Sequence, residues 1–151
     1  MSGEIVLNDT ELSKLLASKH GLDLCWTDGT GWMQYPAGGN RWVSIAFETL
    51  IKVVADELHG LYKIWGAQTT DATTAKRLSV LLTTSKVKSV AAQLAGRLER
   101  NDAEFDTHPY LLNTINCVVD LRTGATQSHD PVHLFTKVAG AQYRSDAQDA
   151  A

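Results

Sequence analysis

Apolar residues recur at helical spacing in several stretches of the chain. The first stretch begins at Asn8 or Asp9, either of which can cap a helix, and runs to about His20. The longest runs from Phe47 to Trp65, where an apolar stripe lies opposite charged side chains. These patterns predict two helices that each bury one face.

Two further helices are predicted in the middle of the chain. A short one carries Leu78, Leu81 and Leu82, and Ser85 is predicted to cap the next. Residues at positions i, i+3, i+4 and i+7 share one side of a helix. In this last helix the stripe predicted to be buried consists of Val87, Val90, Ala91, Leu94 and Leu98.

Alternation of apolar and polar residues replaces the helical pattern in two places. After the first helix, residues 22–26, 31–35 and 41–45 predict a three-stranded meander rich in tryptophan. Near the C-terminus, Phe105 to Pro109 is predicted to be extended, and 118–121 forms a hairpin with the segment after Gly124. The predicted fold is α+β, a helical core with an N-terminal β-meander and a C-terminal β-hairpin.

Length and composition indicate a soluble globular protein. The chain has 151 residues, 44% hydrophobic and 21% charged, which argues against disorder. We expect a single domain over residues 1–144 and a flexible tail over 145–151. No apolar run approaches the ~20 residues that cross a bilayer, and the first residues lack a secretory signal, so a cytoplasmic location is expected. Cys25 and Cys117 lie too far apart for a zinc ribbon, and we expect both to be reduced and buried.

Charge is distributed unevenly along the chain. The net charge is −3, yet residues 63–100 hold seven basic and two acidic side chains, a local excess of +5. The remaining residues therefore carry −8. A basic segment in an acidic protein is compatible with contact to a polyanion, and a solvated helix face explains it as well.

Motifs for catalysis are absent from the sequence. No glycine is followed by lysine, so a phosphate-cradling P-loop cannot form, and no nucleophile elbow or His-Glu-x-x-His helix is present. His129, Asp130 and His133 resemble metal ligands, but Pro131 interrupts their spacing, which favours a polar surface loop. We expect no metal and no cofactor.

Two carboxylates, Asp106 and Asp120, are candidates for an acid-base pair. Each stands where a short acceptor would organise a turn, which favours a structural role.

The tryptophans of the predicted meander allow two interpretations. Trp26, Trp32 and Trp42 can form a platform for stacked bases, or they can form the core of the small sheet, which is the commoner arrangement. Trp42 is the best candidate for exposure because Arg41 stands beside it.

A basic ribbon is predicted on the helix after Ser85. Helical spacing places Lys86, Gln93, Arg97 and Arg100 along one flank of its apolar stripe. Such a ribbon suits phosphate contact, while a solvated flank is the equal alternative. The full set of candidate DNA-contacting residues is Lys76, Arg77, Lys86, Gln93, Arg97, Arg100, Arg41 and Trp42.

A longer motif in the C-terminal third resembles a known family. It consists of residues 105–114 followed by 118–124, continues through His129-Asp130-Pro131 and Phe135-Thr136-Lys137, and is accompanied upstream by Trp32 and Gly39-Asn40-Arg41-Trp42. These segments resemble the domain that precedes superfamily 3 helicases in poxvirus and in phage or plasmid primase-helicases. Cys117 departs from the pattern, because that family usually has glycine there.

The resemblance implies a module that links a priming region to a helicase ring, helps to assemble a homo-oligomer and lies near the DNA path. It also implies a bacterial or phage-infected host cell. The family's ATPase motifs belong to the helicase domain that follows, so this chain is expected to be non-enzymatic alone, as a fragment or relative of an ATP-dependent primase-helicase. The motif residues with expected structural roles are Asp106, Pro109, Asn113, Asp120, Arg122 and Gly124.

Three functions remain open at this point. The first is a DNA-binding accessory domain with weak, non-specific affinity. The second is a structural adaptor that mates with the C-terminal superfamily 3 helicase domain or with sister copies and never touches DNA. The third is an enzyme on an unrecognised scaffold, which the missing motifs disfavour. None of the three involves a membrane.

Overall fold

The computed structural model describes residues 5–144. Its α-helices are α1 (Asp9–His20), α2 (Phe47–Gln68), α3 (Ala72–Leu78) and α4 (Thr84–Arg97), with 3-10 turns at Ser79–Leu82, Asp102–Glu104 and Pro131–His133. Its strands are β1 (Leu24–Thr27), β2 (Gly31–Gln34), β3 (Val43–Ser44), β4 (Leu111–Asn113), β5 (Val118–Asp120) and β6 (Thr126–Gln127). The predicted α+β class is confirmed.

The chain divides into two compact units, each made of two stretches of sequence. The helical unit combines the described residues up to Gly21 with Ile45–Glu99. The sheet unit combines Leu22–Ser44 with the described residues from Arg100 onward. A single domain over 1–144 stays a prediction, and the tail expected at 145–151 lies outside the described residues. Within 5–144, no helix is long and apolar enough to cross a bilayer.

The helical unit is built around α4, which packs against α1 and α2. The predicted stripe of α4 is confirmed, because all five of its apolar residues are buried. Asn8 caps α1 by accepting a hydrogen bond from Glu11 N at 2.8 Å, as the sequence predicts. The predicted cap of α4 is wrong. Thr83 accepts from Lys86 N at 3.2 Å, and Ser85 lies inside the helix.

Some residues of the predicted apolar stripes face solvent. Phe47, at the start of α2, is 51% exposed, whereas Leu50, Val54 and Leu58 below it are fully buried. After α3 the chain tightens into a 3-10 turn, which has three residues per turn. This change of periodicity leaves Leu82 exposed. The predicted burial is therefore wrong for Phe47 and Leu82, whereas Trp65 at the other end of the α2 stripe is buried.

The sheet unit contains two antiparallel three-stranded sheets, β1-β2-β3 and β4-β5-β6. The first is the predicted meander, with Cys25 opposite Met33 and Trp26 opposite Trp32. The second contains the predicted β5–β6 hairpin. It also contains β4, which the sequence pattern did not reveal because the strand is only three residues long.

The segment predicted to be extended, Phe105 to Pro109, is extended only in part: Phe105 has an extended backbone, but the next residue does not. Asp102–Glu104 forms a 3-10 turn that Asn101 caps: its side-chain oxygen accepts from Ala103 N at 2.9 Å, and its backbone N–H donates to the Glu104 carboxylate at 2.7 Å. Asp106 then adopts a left-handed conformation with φ of 57°. Hydrogen bonds between Asp106 and the residues Leu134 and Thr136, described below, hold the chain in this turn.

Candidate nucleic-acid interface

Five cations of the helical unit are fully available to a polyanion. They are exposed, and none has an ion pair or a side-chain hydrogen bond within residues 5–144: Lys52, Lys63, Lys76, Arg77 and Lys88. Lys76 and Arg77 occupy the last turn of α3, where a positive charge complements the helix dipole. Lys52, Lys63 and Lys88 are not among the DNA-contacting candidates predicted above, because sequence alone does not separate free from paired lysines.

Lys86 is held inside the helical unit. Its ammonium lies 2.8 Å from Asp9 Oδ1 and donates to the Leu7 carbonyl at 2.7 Å, and its side chain is only 16% exposed. The hydrogen bond from Lys86 lowers the pKa of Asp9 below its usual value, which keeps the pair ionised. Lys86 therefore ties the start of α1 to the start of α4, and its charge is already neutralised.

Gln93 and Arg97 are exposed on α4, as the predicted ribbon requires. Arg97 is also anchored to α1, because its Nε donates to the hydroxyl of buried Ser13 at 2.8 Å. The side-chain oxygen Oε1 of Gln93 lies 3.5 Å from the same hydroxyl. Arg97 is thus positioned by packing and still presents part of its guanidinium to solvent.

Arg100 does not belong to the ribbon, which corrects the prediction. Helix α4 ends at Arg97, and Arg100 lies in the sheet unit, where its backbone N–H donates to the Trp26 carbonyl at 2.8 Å. Its half-buried guanidinium faces Glu104 at 3.7 Å. The predicted basic ribbon therefore loses both Lys86 and Arg100.

The expectation that Trp42 is exposed is wrong. Only 1% of the residue contacts solvent, and its indole N–H donates to the Pro131 carbonyl at 2.9 Å. Tyr35 and Phe105 meet the ring edge-on, with centroid distances of 5.7 and 6.3 Å. Arg41 beside it is half-buried near the Asn40 side chain. In this structure Trp42 is a core residue that offers no face to a base.

Asp106 fastens two loops of the sheet unit. Its backbone N–H donates to the Leu134 carbonyl at 3.0 Å, and its carboxylate accepts from the N–H of Thr136 at 2.8 Å and from the Thr136 hydroxyl. Leu134 is left-handed as well, with φ of 55°. Non-glycine residues adopt this conformation only when surrounding contacts over-determine it.

The other motif residues organise turns and strand ends. The Asn113 amide donates to the carbonyls of Asn40 and Lys137 at 2.8 and 2.9 Å. Pro109 lies in the turn that leads into β4. The Asp120 carboxylate accepts from Arg122 N at 2.9 Å, and this bond lowers the pKa of Asp120. Because turn N–H groups occupy the carboxylates of both Asp106 and Asp120, the candidate acid-base pair has no free carboxylate.

The hairpin between β5 and β6 closes on Gly124. This residue has φ of +76°, a conformation that glycine adopts without steric cost, and its N–H donates to the Asp120 carbonyl at 2.7 Å. The Arg122 guanidinium stacks over the Tyr110 ring at 4.7 Å.

The histidines near the C-terminus serve the loop that carries them. His129 Nε2 lies 2.7 Å from the Thr114 carbonyl, and Asp130 caps the following 3-10 turn through Val132 N at 3.0 Å. Burial lowers the pKa of His133, whose ring packs against His108 and Phe135. In the part of the chain that the structure describes, no group of three His, Cys, Asp or Glu side chains is arranged to hold a metal ion.

Comparison with known proteins identifies the family. A search of curated proteins found no match. The sequence model of the family described as D5 N terminal like matches residues 13–151, which is nearly the whole chain. The resemblance that the C-terminal motif carries is thereby confirmed. The chain belongs to the D5 N terminal like family, the N-terminal domain of D5-like primase-helicases.

Proposed function

We propose that this chain is a non-catalytic, DNA-associated accessory domain of a phage or plasmid primase-helicase, acting in DNA replication. The observation that carries the proposal is the group of unpaired cations on α3 and α4, Lys76, Arg77 and Lys88. A cation without a protein partner can neutralise a phosphate without first breaking an ion pair, and it releases the counterion that was condensed on that phosphate. Family membership in primase-helicases supports the same assignment.

The affinity is expected to be low and independent of sequence. Cations contact phosphates, which position a protein on DNA but carry no sequence information. With only a handful of free cations in a chain of net charge −3, the expected dissociation constant is ~10⁻⁴ to 10⁻⁶ M at physiological salt.

The test is fluorescence anisotropy with labelled single- and double-stranded oligonucleotides at low and high salt. The variant Lys76→Ala, Arg77→Ala, Lys88→Ala is expected to weaken binding. It is also expected to reduce the slope of log K against log salt by roughly 2 to 3, because each phosphate contact contributes about 0.7 to 0.9. The matched control is Lys14→Ala, Lys19→Ala, Lys52→Ala, which removes the same charge from α1 and α2. Equal loss in both variants would contradict a localised interface.

The structural adaptor is the second candidate, and exposed apolar side chains at the Tyr110–Leu121 end of the β4–β5 ladder favour it. Leu121 N donates to the Tyr110 carbonyl, and the side chains of Tyr110, Leu112 and Leu121 are all more than 40% exposed. Tyrosine and arginine, here stacked as Tyr110 and Arg122, are enriched at protein interfaces. The partner would be the C-terminal superfamily 3 helicase domain or a second copy in a homo-oligomer.

The two candidates give opposite results in one pair of assays. If the intact chain binds neither single- nor double-stranded DNA at low salt, the accessory DNA-binding role fails. If Leu121→Asp then prevents self-association measured by sedimentation, or docking to the helicase domain, the adaptor is the function. Leu22→Asp, at an equally exposed leucine outside this ladder, is the control.

A further inference from the structure

Arg97, the last residue of α4, is exposed, and one edge of its guanidinium group is held in place from within the helical unit. Its Nε donates to Ser13 Oγ at 2.8 Å, and the Ser13 hydroxyl donates to the Thr10 carbonyl at 2.9 Å. Ser13 is 0% exposed, so the anchor itself is buried. Because a hydroxyl is uncharged, this contact orients the planar guanidinium without neutralising it.

The outer edge of the same guanidinium lacks a partner. Within residues 5–144, the Nη1 and Nη2 groups of Arg97 make no hydrogen bond and no ion pair. Asp9 and Glu11, the acids of α1, both lie beside lysines. No Asp or Glu occurs from position 72 to 98. The N–H bonds of both Nη groups are therefore left for a ligand.

Gln93 lies one helical turn before Arg97, on the same side of α4. Its Oε1 lies 3.5 Å from Ser13 Oγ, which directs the amide Nε2 away from that buried hydroxyl. Gln93 is exposed, and among the residues that the structure describes its Nε2 has no acceptor. The two side chains therefore present N–H donors to solvent from one shared anchor.

A pair of this composition fits an oxyanion. Two parallel N–H bonds of a guanidinium match two oxygens of a phosphate or of a carboxylate. The acid-free stretch also carries the free cations Lys76, Arg77 and Lys88. Several cations in one stretch suit a ligand with repeated charges better than a single carboxylate, which favours the backbone of DNA.

We propose that Arg97, oriented by Ser13 and assisted by Gln93, binds a backbone phosphate of DNA through both Nη groups. This inference rests on the proposed association with DNA and deepens it, since it adds a contact that is ordered before binding to the free cations of α3 and α4. A side chain that is already ordered loses little conformational entropy when the ligand arrives. Ser13 is a positioning residue, because its buried hydroxyl cannot reach the ligand.

The first measurement follows the Nε–Hε signal of Arg97 by NMR in the intact chain. A single-stranded oligonucleotide is expected to shift this signal. Inorganic phosphate at the same concentration of phosphate groups is expected to shift it less, because only the strand is also held by other cations. A glutamate peptide of the same charge separates a phosphate site from a site for an acidic protein.

The second measurement compares variants by fluorescence anisotropy. Arg97→Gln is expected to weaken binding of the strand about tenfold, because a charged hydrogen-bonding partner is lost. It is also expected to lower the slope of log K against log salt by about 0.7 to 0.9. Arg97→Lys keeps the charge and the slope, yet it is expected to bind about threefold less tightly, because lysine cannot make the bidentate contact.

Ser13→Ala tests the anchor without touching the ligand. It is expected to weaken binding about threefold at an unchanged salt slope, because the guanidinium must then be ordered during binding. Ser18→Ala, at an exposed serine of the same helix, is the matched control and is expected to leave binding unchanged. Circular dichroism checks that each variant is folded, and for one that is not, the NMR titration of the intact chain decides.

The outcomes separate this inference from the proposed function. If Arg97→Lys and Ser13→Ala bind the strand as tightly as the intact chain does, the oriented contact is overturned and the DNA association stands. If the intact chain binds no strand, the proposed function fails. A shift with inorganic phosphate then identifies free phosphate as the ligand, and no shift overturns the site. A larger shift with the glutamate peptide than with the strand overturns the assignment to DNA in favour of an acidic protein.

Discussion

Leu94→Ala is the sharpest test of the helical unit. Leu94 is 0% exposed in the middle of the stripe that α4 buries against α1 and α2. Removing three buried carbons corresponds to about 2.4 kcal/mol of lost transfer free energy. The cavity left behind raises the expected loss of unfolding free energy to about 2.5 to 4 kcal/mol. Val90→Ala, which removes two carbons at another fully buried site, is expected to cost about 1 to 2 kcal/mol.

The assay is urea unfolding followed by far-UV circular dichroism, with a thermal melt as a second measurement. The Tm of Leu94→Ala is expected to fall by about 5 to 15 °C. Leu82→Ala is the matched control, because it makes the same chemical change at a leucine that is 49% exposed. A loss for Leu94→Ala no larger than that of Leu82→Ala would show that α4 presents a different face to its neighbours.

Three further predictions concern backbone conformation, ionisation and catalysis. Gly124→Ala is expected to destabilise the chain by about 1 to 2 kcal/mol because φ is +76° there, whereas Gly60→Ala, in α2 where an added Cβ meets no atom, is expected to stabilise it by about 0.5 to 1 kcal/mol. Urea unfolding measures both, and equal signs would refute the reasoning. The hydrogen bond from Lys86 holds the pKa of Asp9 below 3.8, so this pair stabilises the fold above that pH and the contribution is lost as the pH falls through the lowered value. Asp9→Asn is therefore expected to reduce the fall in unfolding free energy at acidic pH. An unchanged dependence of the unfolding free energy on pH would contradict the pairing. The purified chain is expected to hydrolyse no nucleotide, since no glycine precedes a lysine in it, and phosphate release that co-purifies with the protein would disprove this.

Elements governed by local periodicity were predictable from the sequence. The stripe of α4 and the cap of α1 depend on residues within a few positions of one another, and both were found. The cap of α4 was misplaced by two residues because Thr83, Thr84 and Ser85 can all cap a helix. The choice follows from where the preceding 3-10 turn ends, which the pattern does not show.

The errors at the candidate site have a non-local cause. Trp42 stands next to an arginine, yet Pro131, 89 positions away, accepts its N–H. Lys86 lies on a helix flank, yet Asp9, 77 positions away, neutralises it. Helical angles place a side chain on a face, but they do not show which distant segment covers that face.

The Trp42 contacts also determine the order in which this protein can fold during synthesis. The last residue of the helical unit is Glu99. The core around Trp42, in contrast, also needs Phe105 and the carbonyl of Pro131, which come later in the chain. At translation rates of about 5 to 20 residues per second, the meander leaves the ribosome roughly 5 to 20 seconds before Pro131 is made. During that interval the α-helices that follow the meander can pack with α1, while Trp42 stays uncovered. A nascent chain arrested before Arg100 would therefore present this indole to chaperones, and the 151-residue chain released from the ribosome would not.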